Sequence, residues 1–385
     1  MNKILFDGIA TQSSDKVKYH GGSEYAKFIL KYALENNYRN FDFVYSADML
    51  LHDDVREMVE KFNIKTICLK KSSELQRFIL GSEYTCFYSA LPYGYGDFEL
   101  GDILFIFTIH GCRALELPSD SYRHYYTDSV YSSLIMRILN PVFRLFTYYV
   151  SMKSFRHLLN VKNKKIITVS NHSKYSLMSF FSNVNFDDLI VSYSPIDFSI
   201  KEYTDKVDIE GDFFLLISSN RFEKNAYRAI LALDCLFSEN RLEKKKVLVL
   251  GCVNCSLITK VANKDRFVFM GYVPKNKLVS YFKSAFAFVY PTLNEGFGYP
   301  PVMAMQYGVP VICSAVTSIP EICADGACYF NPYDINEIKN RILYVSEDAD
   351  YRQRLINNGY RRSSELQNLQ KLNMDYLMEC IFVKN

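Results

Sequence analysis

The sequence predicts an α/β protein with two domains, each built on a parallel sheet that helices cover on both faces. Short apolar runs alternate with segments of helical period along the whole chain, and this alternation is typical of β-α-β units. The 385 residues suggest two or three domains at about 150 residues each. The polar stretch 194–212 has no clear periodicity and separates two series of apolar runs. We therefore expect two Rossmann-like domains that face a central cleft.

Eleven apolar runs are predicted to be strands, because they have strand length and are bounded by turn residues. The first series is Ile4–Asp7, Phe41–Tyr45, Thr66–Leu69, Thr85–Tyr88, Ile103–Ile109 and Ile166–Ser170. The second series is Phe213–Ser218, Lys246–Leu250, Phe267–Met270, Ala287–Tyr290 and Val309–Cys313. Helical periodicity is clearest in Ser23–Glu35, Asn225–Phe237, Asn276–Lys283 and Ile335–Val345.

The predicted boundaries divide the chain into residues 1–200, residues 201–365 and a C-terminal helix, 366–385, that packs back towards the first domain. Ligands of such sheets bind beyond the carboxyl ends of the strands. We therefore expect the functional residues to lie in the loops that follow the strands.

Composition excludes several classes of protein. Apolar residues make up 49% of the chain and charged residues 23%, as in ordinary globular proteins. The net charge of +3 gives no reason to expect nucleic acid as a partner. No apolar stretch reaches the length of a membrane span, and the N-terminus has no signal-peptide pattern. These features predict a cytoplasmic protein.

Ten cysteines are scattered among apolar residues, where they resemble small core side chains. Cys252 and Cys255 form a Cys-x-x-Cys sequence after a predicted strand. No second pair accompanies them at zinc-site spacing, so two free thiols are favoured over a zinc or redox site.

The most informative segment follows the predicted strand that ends at Tyr290. It presents the acid Glu295 in a turn with Gly296 and Gly298, and Pro300 and Pro301 then begin a helix. Backbone N–H groups at Gly298 and Tyr299 would meet an anion at the positive end of that helix. The alternative is an ordinary strand-to-helix turn with a surface glutamate.

Two cations, Arg221 and Lys224, stand three residues apart where another strand gives way to a helix. Arginine binds phosphate as a planar fork and lysine as a point charge, so both can reach a diphosphate. The alternative is a pair of solvated cations, although cations are disfavoured at a helix N-terminus.

The first domain offers two further candidates. His110 follows the strand Ile103–Ile109, where it can hydrogen-bond a substrate hydroxyl, although a lone histidine is equally often structural. After the first strand, Gly21 and Gly22 form a glycine turn that begins a helix and can bind phosphate.

These pieces together resemble the family-4 retaining glycosyltransferases, or "glycosyl transferases group 1", which have the two-domain GT-B fold. The resemblance covers nearly the whole chain in the family's order. The matching pieces are Gly21-Gly22, Thr108-Ile-His-Gly111, Ile167–Lys174, Asn220–Asn225, Gly271-Tyr-Val-Pro274, Glu295–Pro301 and Gly308–Glu321.

The resemblance implies roles for individual residues. His110 would contact the donor sugar, Arg221 and Lys224 would hold the donor diphosphate, and Glu295 would hydrogen-bond the sugar hydroxyls. Backbone around Gly271 and Tyr272 would border the base.

Two positions depart from the family pattern. The acid that usually grips the ribose is replaced by Met303, and the small glycine that usually precedes the arginine is Asn220.

The activity implied is hexosyl transfer from a UDP- or GDP-linked sugar to a saccharide acceptor, with retention of configuration and without metal or other cofactor. The setting implied is bacterial cell-surface polysaccharide or lipopolysaccharide assembly. Two alternatives stay open: a GT-B sugar-nucleotide epimerase, and a non-catalytic partner subunit with the same fold.

A basic segment predicts contact with a membrane surface. From Ser129 to Phe186 there is no Asp or Glu but there are eight Lys or Arg. Apolar residues are interleaved with these cations, as in helices that lie on anionic membranes. We expect attachment through residues 129–165 to the inner face of the cytoplasmic membrane, with a lipid-linked saccharide as the natural acceptor. The alternative is a core helix with solvated cations on its outer side.

Overall fold

A computed structural model gives the structure of the chain. The residues described are 3–13, 21–95, 98–127, 129–198, 207–242, 244–252 and 261–382.

The first sheet has seven parallel strands in the order β3-β2-β1-β4-β5-β6-β7. Its strands are β1 (Ile4–Asp7), β2 (Phe41–Ser46), β3 (Thr66–Leu69), β4 (Cys86–Ser89), β5 (Leu104–Ile109), β6 (Lys164–Thr168) and β7 (Leu189–Val191). The central strands are apolar and fully buried because helices cover both faces of a parallel sheet.

The second sheet has six parallel strands in the order β10-β9-β8-β11-β12-β13. Its strands are β8 (Phe213–Leu216), β9 (Lys246–Leu250), β10 (Phe267–Met270), β11 (Ala287–Tyr290), β12 (Val311–Ser314) and β13 (Ala327–Phe330). Apolar clusters lie on both faces of this sheet.

Twelve α-helices occur among the described residues. They are α1 (Gly21–Glu35), α2 (Asp53–Lys61), α3 (Leu75–Leu80), α4 (Arg113–Glu116), α5 (Val130–Leu159), α6 (Asn171–Phe180), α7 (Ala226–Ser238), α8 (Lys275–Ser284), α9 (Tyr299–Gln306), α10 (Ile319–Cys323), α11 (Ile335–Glu347) and α12 (Ala349–Phe382). None of these described helices is both long enough and apolar enough to cross a membrane.

The predicted class, α/β with two parallel-sheet domains, is confirmed. Each of the eleven predicted strands corresponds to one of the thirteen described, with ends shifted by up to two residues. The prediction missed β7 and β13, which are edge strands of the two sheets. Strand β7 has only three residues, whereas β13 has four, as many as the correctly predicted β1, so length does not explain its omission.

The chain forms two compact units. Unit 1 comprises Met1–Leu115, Tyr148–Pro195 and Leu369–Asn385, and unit 2 comprises Glu116–Thr147 and Ile196–Asn368. The segment Glu116–Thr147 lies in the first half of the sequence and nevertheless belongs to unit 2. The predicted boundaries at 200 and 365 stay predictions, because they describe sequence domains rather than compact units.

One cysteine differs from its prediction. Cys252 is disulfide-bonded, so the favoured interpretation of a free thiol at this position is wrong. Cys255 lies outside the described residues.

Candidate functional site

The candidate site of unit 2 is placed by two neighbouring strands. Strand β8 ends shortly before Lys224, and strand β11 ends shortly before Glu295. The two strands are paired in parallel, so the loops that follow them leave the sheet at the same edge. Two residues far apart in the sequence therefore meet at the carboxyl ends of the strands, the usual place for ligands in such sheets.

A buried cluster of four polar side chains forms the centre of this site. Lys224 Nζ donates to the Tyr290 hydroxyl at 2.8 Å and to Glu295 Oε1. The same carboxylate oxygen lies 2.6 Å from the Tyr290 hydroxyl and 2.9 Å from Thr292 Oγ1. The lysine and glutamate side chains are only 8% and 10% exposed. A buried carboxylate is thus matched by a cation and by hydroxyl donors, as burial of charge requires.

The backbone around Glu295 is also held in place. Its N–H donates to Thr317 Oγ1 at 3.0 Å, and its carbonyl accepts from Ser318 Oγ at 3.0 Å. The Ser318 hydroxyl also lies 2.9 Å from the carbonyl oxygen of Phe297. The turn therefore has its shape set by side chains from the loop after β12.

The segment that carries Lys224 is fixed by the residue that follows it. Asn225 has the left-handed conformation, with φ of 54°, which asparagine tolerates better than most residues. Its Nδ2 donates to the carbonyls of Pro291 and Pro332, at 2.9 Å each. These bonds tie the lysine segment to the loops after β11 and β13.

Arg221 lies on the same segment in a different environment. Its side chain is 47% exposed and its guanidinium bonds the Glu223 carboxylate. The structure therefore places both predicted phosphate-binding cations after β8, with Lys224 buried against Glu295 and Arg221 at the surface.

Helix α9 begins beside Glu295 as predicted. Gly298 caps it with φ of 112°, a conformation that favours glycine. A Cβ at this position would lie 2.7 Å from Ile319 Cδ1. Because Pro300 and Pro301 occupy the first turn, the positive end of the helix is fixed near the carboxylate cluster.

A second buried ion pair joins the segment Glu116–Thr147 to the rest of unit 2. The Arg228 guanidinium bonds both carboxylate oxygens of Asp120, at 2.9 and 3.0 Å, and also Asn225 Oδ1 at 2.9 Å. It lies 4.3 Å from the ring centre of Tyr122. The same segment reaches the turn that carries Glu295, where Asn294 Nδ2 donates to the Glu116 carboxylate. No local pattern in the sequence pointed to this pair.

Two more predicted residues of unit 2 have clear positions. Tyr272 follows β10 and is 77% exposed. Met303 lies on α9, is half-buried and packs against the apolar cluster on one face of the sheet. Its surroundings are those of an apolar contact, and its relation to a ribose stays a prediction.

The remaining predicted residues lie in unit 1. His110 follows β5, and its Nε2 donates to the Ala90 carbonyl at 2.9 Å. Its ring packs edge-on against Tyr25, with 4.7 Å between the two ring centres. Gly21 and Gly22 form the first residues of α1. Their predicted contacts with a donor stay predictions.

Unit 1 also buries an acid that the sequence analysis did not single out. Asp7 ends β1 and accepts hydrogen bonds from Ser89 Oγ at 2.6 Å and the Tyr95 hydroxyl at 2.9 Å. Burial raises its pKa to about 6, although the two hydroxyl donors offset part of that effect.

Within the described parts of the chain, no group of three or more His, Cys, Asp or Glu side chains is arranged to hold a metal ion.

A family model matches part of the chain. Residues 199–362 match the family described as glycosyl transferases group 1. The matched part contains Arg221, Lys224 and Glu295, and the match confirms the resemblance that the motifs indicated.

Relatives in two bacteria match parts of the chain. The chain is 42% identical over 85 residues to O-antigen chain mannosyltransferase B of Escherichia coli, a match that covers 22% of each chain. It is 26% identical over 239 residues to O-antigen chain mannosyltransferase RfbU of Salmonella typhimurium, covering 60% of this chain and 65% of the relative. The matches thus span less than two thirds of these relatives' lengths.

Solved structures resemble the chain over nearly its whole length. Sucrose-phosphate synthase of Thermosynechococcus elongatus gives a TM-score of 0.67 at 16% identity, covering 99% of both chains. HepE of Anabaena in complex with UDP-glucose gives 0.65 at 15% identity, covering 97% of this chain and 99% of the other. At such identities the likeness concerns the fold, and it confirms the predicted GT-B class.

Proposed function

Because residues 199–362 match the family described as glycosyl transferases group 1, we propose that this chain transfers a sugar from a nucleotide-sugar donor to a saccharide acceptor. The observation that carries the proposal is the buried contact between Lys224 and Glu295 beside the start of α9. A cation for the diphosphate and an acid for sugar hydroxyls stand together at the carboxyl edge of a parallel sheet.

The relatives suggest which sugar and which product are involved. Both bacterial relatives described above are named O-antigen chain mannosyltransferases. We therefore include a mannosyl donor in the proposal, linked to GDP or UDP, and an acceptor that is a growing surface polysaccharide or lipopolysaccharide.

The chemistry follows from where charge develops. As the sugar–phosphate bond breaks, negative charge grows on the departing diphosphate. Lys224 would stabilise that charge from within the site, and Arg221 would do so from the surface after exchanging its Glu223 contact for phosphate. The N–H groups at the start of α9 would add the positive end of a helix. Preorganised charges of this kind usually make the largest contribution to such catalysis.

Glu295 would act on the sugar rather than on the phosphate. Tyr290 and Thr292 hold one of its carboxylate oxygens, and Thr317 fixes its backbone. A carboxylate that is held so firmly can orient sugar hydroxyls without the entropic cost of ordering a mobile side chain.

Retention of anomeric configuration and independence of metal are part of the same proposal. They rest on the resemblance to the family and on the set of cations that can neutralise the diphosphate. Configuration of the product by NMR and turnover in the presence of a chelator test the two points separately.

The proposed setting is the cytoplasm, with peripheral attachment to the inner face of the cytoplasmic membrane through residues 129–165. There the acceptor would be a lipid-linked saccharide. The acid-free composition of residues 129–186 supports this location.

The donor site is tested with Lys224→Met and Arg221→Met. Lys339→Met serves as the matched control, because this lysine of α11 forms an ion pair with Glu239. Calorimetric titration with GDP and UDP, and sugar transfer from GDP-mannose and UDP-glucose, are the measurements. We expect both site variants to lose nucleotide affinity and turnover, while the control keeps them.

A Lys224→Arg variant keeps the positive charge, so it separates the effect of losing the charge from the effect of unfolding the chain. Unchanged affinity and turnover in folded Lys224→Met would remove the lysine from the site. Donor turnover at full rate without any acceptor would favour an epimerase over a transferase.

A further inference from the structure

The first part of helix α5 presents an apolar face to solvent. Tyr131, Leu134, Ile138, Val142 and Leu145 follow each other at spacings of three and four residues, which puts them on one side of the helix. We call these five residues the outer stripe. All of them are exposed, Ile138 to 68% and Val142 to 62%. At 1.5 Å per residue the stripe is about 21 Å long.

The opposite side of the helix attaches to unit 2 through polar groups. Ser133 Oγ donates to the carbonyl of His124 at 3.0 Å. Asn140 Nδ2 donates to the carbonyl of Asp120 at 2.6 Å, and Arg144 Nε donates to that of Leu117. Helices of globular proteins ordinarily bury their apolar side and expose their polar side. Here the arrangement is reversed.

The residue that accepts from Asn140 is itself held by a buried ion pair. The carbonyl that accepts from Asn140 belongs to Asp120, and the carboxylate of Asp120 is bound on two sides by Arg228 of α7. Both charged side chains are almost fully buried, at 2% and 6% exposed. Rolling the helix to bury its outer stripe would break the hydrogen bond from Asn140 and leave this buried amide without that acceptor, which is costly.

The charges on and near the helix indicate that its partner is anionic. Arg137 is exposed on the part of α5 that carries the outer stripe, and residues 129–186 contain no acid. A cationic helix with an outward apolar side suits an anionic lipid surface, where the apolar side enters the acyl boundary and cations meet head groups. Tyr131 adds an aromatic side chain with a polar tip, which favours the interface between lipid and water.

From this geometry we propose that the outer stripe of α5 is a membrane-insertion surface that lies in the plane of an anionic bilayer. The inference rests on the proposed function and deepens its membrane attachment by assigning it to one face of the part of α5 that belongs to unit 2. The exposed apolar residues of the stripe argue against a core helix for residues 131–145, whereas Phe155, Leu158 and Leu159, later in α5, are buried in the core of unit 1.

The test is vesicle co-sedimentation of the full chain and of the double variant Ile138→Gln/Leu145→Gln. Vesicles are an equimolar mixture of phosphatidylglycerol and phosphatidylcholine, or phosphatidylcholine alone, each at low and high salt. The matched control is Leu372→Gln, a leucine of α12 that is 69% exposed. We expect binding to the anionic vesicles at low salt, and a loss of at least about tenfold in the double variant. The control should bind as the unchanged chain does.

A third variant, Arg137→Glu, separates charge from apolar insertion. We expect it to weaken binding to anionic vesicles and to reduce the salt dependence. Melting temperature and nucleotide affinity, measured on every variant, show that the fold and the donor site are intact.

Three outcomes would overturn the inference. They are absence of binding to anionic vesicles at low salt, equal binding by the double variant, and a dimer in sedimentation velocity that the double variant abolishes. Vesicle binding by a chain that transfers no sugar would support the membrane surface and contradict the proposed function, so the two failures are distinguishable.

Discussion

Lys224 and Glu295 are 71 residues apart in the sequence and form an ion pair that is almost completely buried. Removal of one partner from such a pair leaves an uncompensated charge away from water. Each substitution at these positions therefore changes both the chemistry of the site and the stability of the loops that form it. Experiments on these two residues therefore need one measurement of activity and one of stability.

Glu295→Gln keeps the volume of the side chain and removes its charge. We expect turnover to fall on the order of a hundredfold, because the sugar loses its orienting carboxylate. The affinity for a nucleoside diphosphate should persist or rise, since Lys224 loses its competing anion. Titration calorimetry and transfer rates measure the two effects. Wild-type turnover in a folded Glu295→Ala variant would exclude this residue from the reaction.

Asp120→Ala should destabilise the chain strongly. It leaves the Arg228 guanidinium buried with only Asn225 as a side-chain hydrogen-bond acceptor, and breaking such a pair costs about 3–5 kcal/mol of unfolding free energy. Asp212→Ala, which removes an exposed pair with Lys245, should cost at most about 1 kcal/mol. Urea titrations give both values. Similar losses in the two variants would show that Asp120 does not anchor its segment.

Asp7 makes stability depend on pH in a defined direction. Its folded pKa of about 6 lies above the ordinary 3.8, so the folded state holds the proton more tightly than the unfolded state does. Stability contributed by this group is therefore present below pH 4 and is lost as pH rises through 6.

Asp7→Asn removes this titration. Relative to the unchanged chain, the variant should gain up to about 3 kcal/mol of unfolding free energy between pH 4 and pH 7. A pH-independent difference between Asp7→Asn and the unchanged chain would contradict the raised pKa.

Met303→Glu tests whether the ribose contact is vacant. The side chain is half-buried on α9, so we expect the carboxylate to be tolerated. A new charged hydrogen bond to ribose hydroxyls should tighten the cognate nucleotide by about 1.5–3 kcal/mol. Calorimetric titration of both forms is the measurement. A folded variant with weaker affinity would identify Met303 as an apolar contact for the donor.

The sequence predicted most of the fold because its strands are continuous apolar runs between turn residues. It missed β7, which has only three residues, and the edge strand β13, which has four. It also identified Lys224 and Glu295 as candidates, since each stands directly beyond a strand.

Their mutual contact could not be read from the sequence, because it depends on which strands become neighbours. The sequence indicates Tyr290 only as the last residue of a strand. Its role in binding Glu295 depends on the direction of its hydroxyl, which the pleat of β11 determines. Asp120 and Arg228 are 108 residues apart, and no local pattern joins them. The orientation of α5 depends on hydrogen bonds from its polar side to the carbonyls of Leu117, Asp120 and His124, so it too is visible only in three dimensions.

The two-part composition of unit 2 limits how this protein can be divided or recombined. A fragment cut to the family match, residues 199–362, would keep Arg228 and discard the carboxylate that neutralises it. The same cut would discard Tyr126, whose hydroxyl accepts the N–H of Tyr227 at the start of α7. A chimaera that exchanges donor specificity with a relative must therefore transplant Glu116–Thr147 together with the second half of the chain.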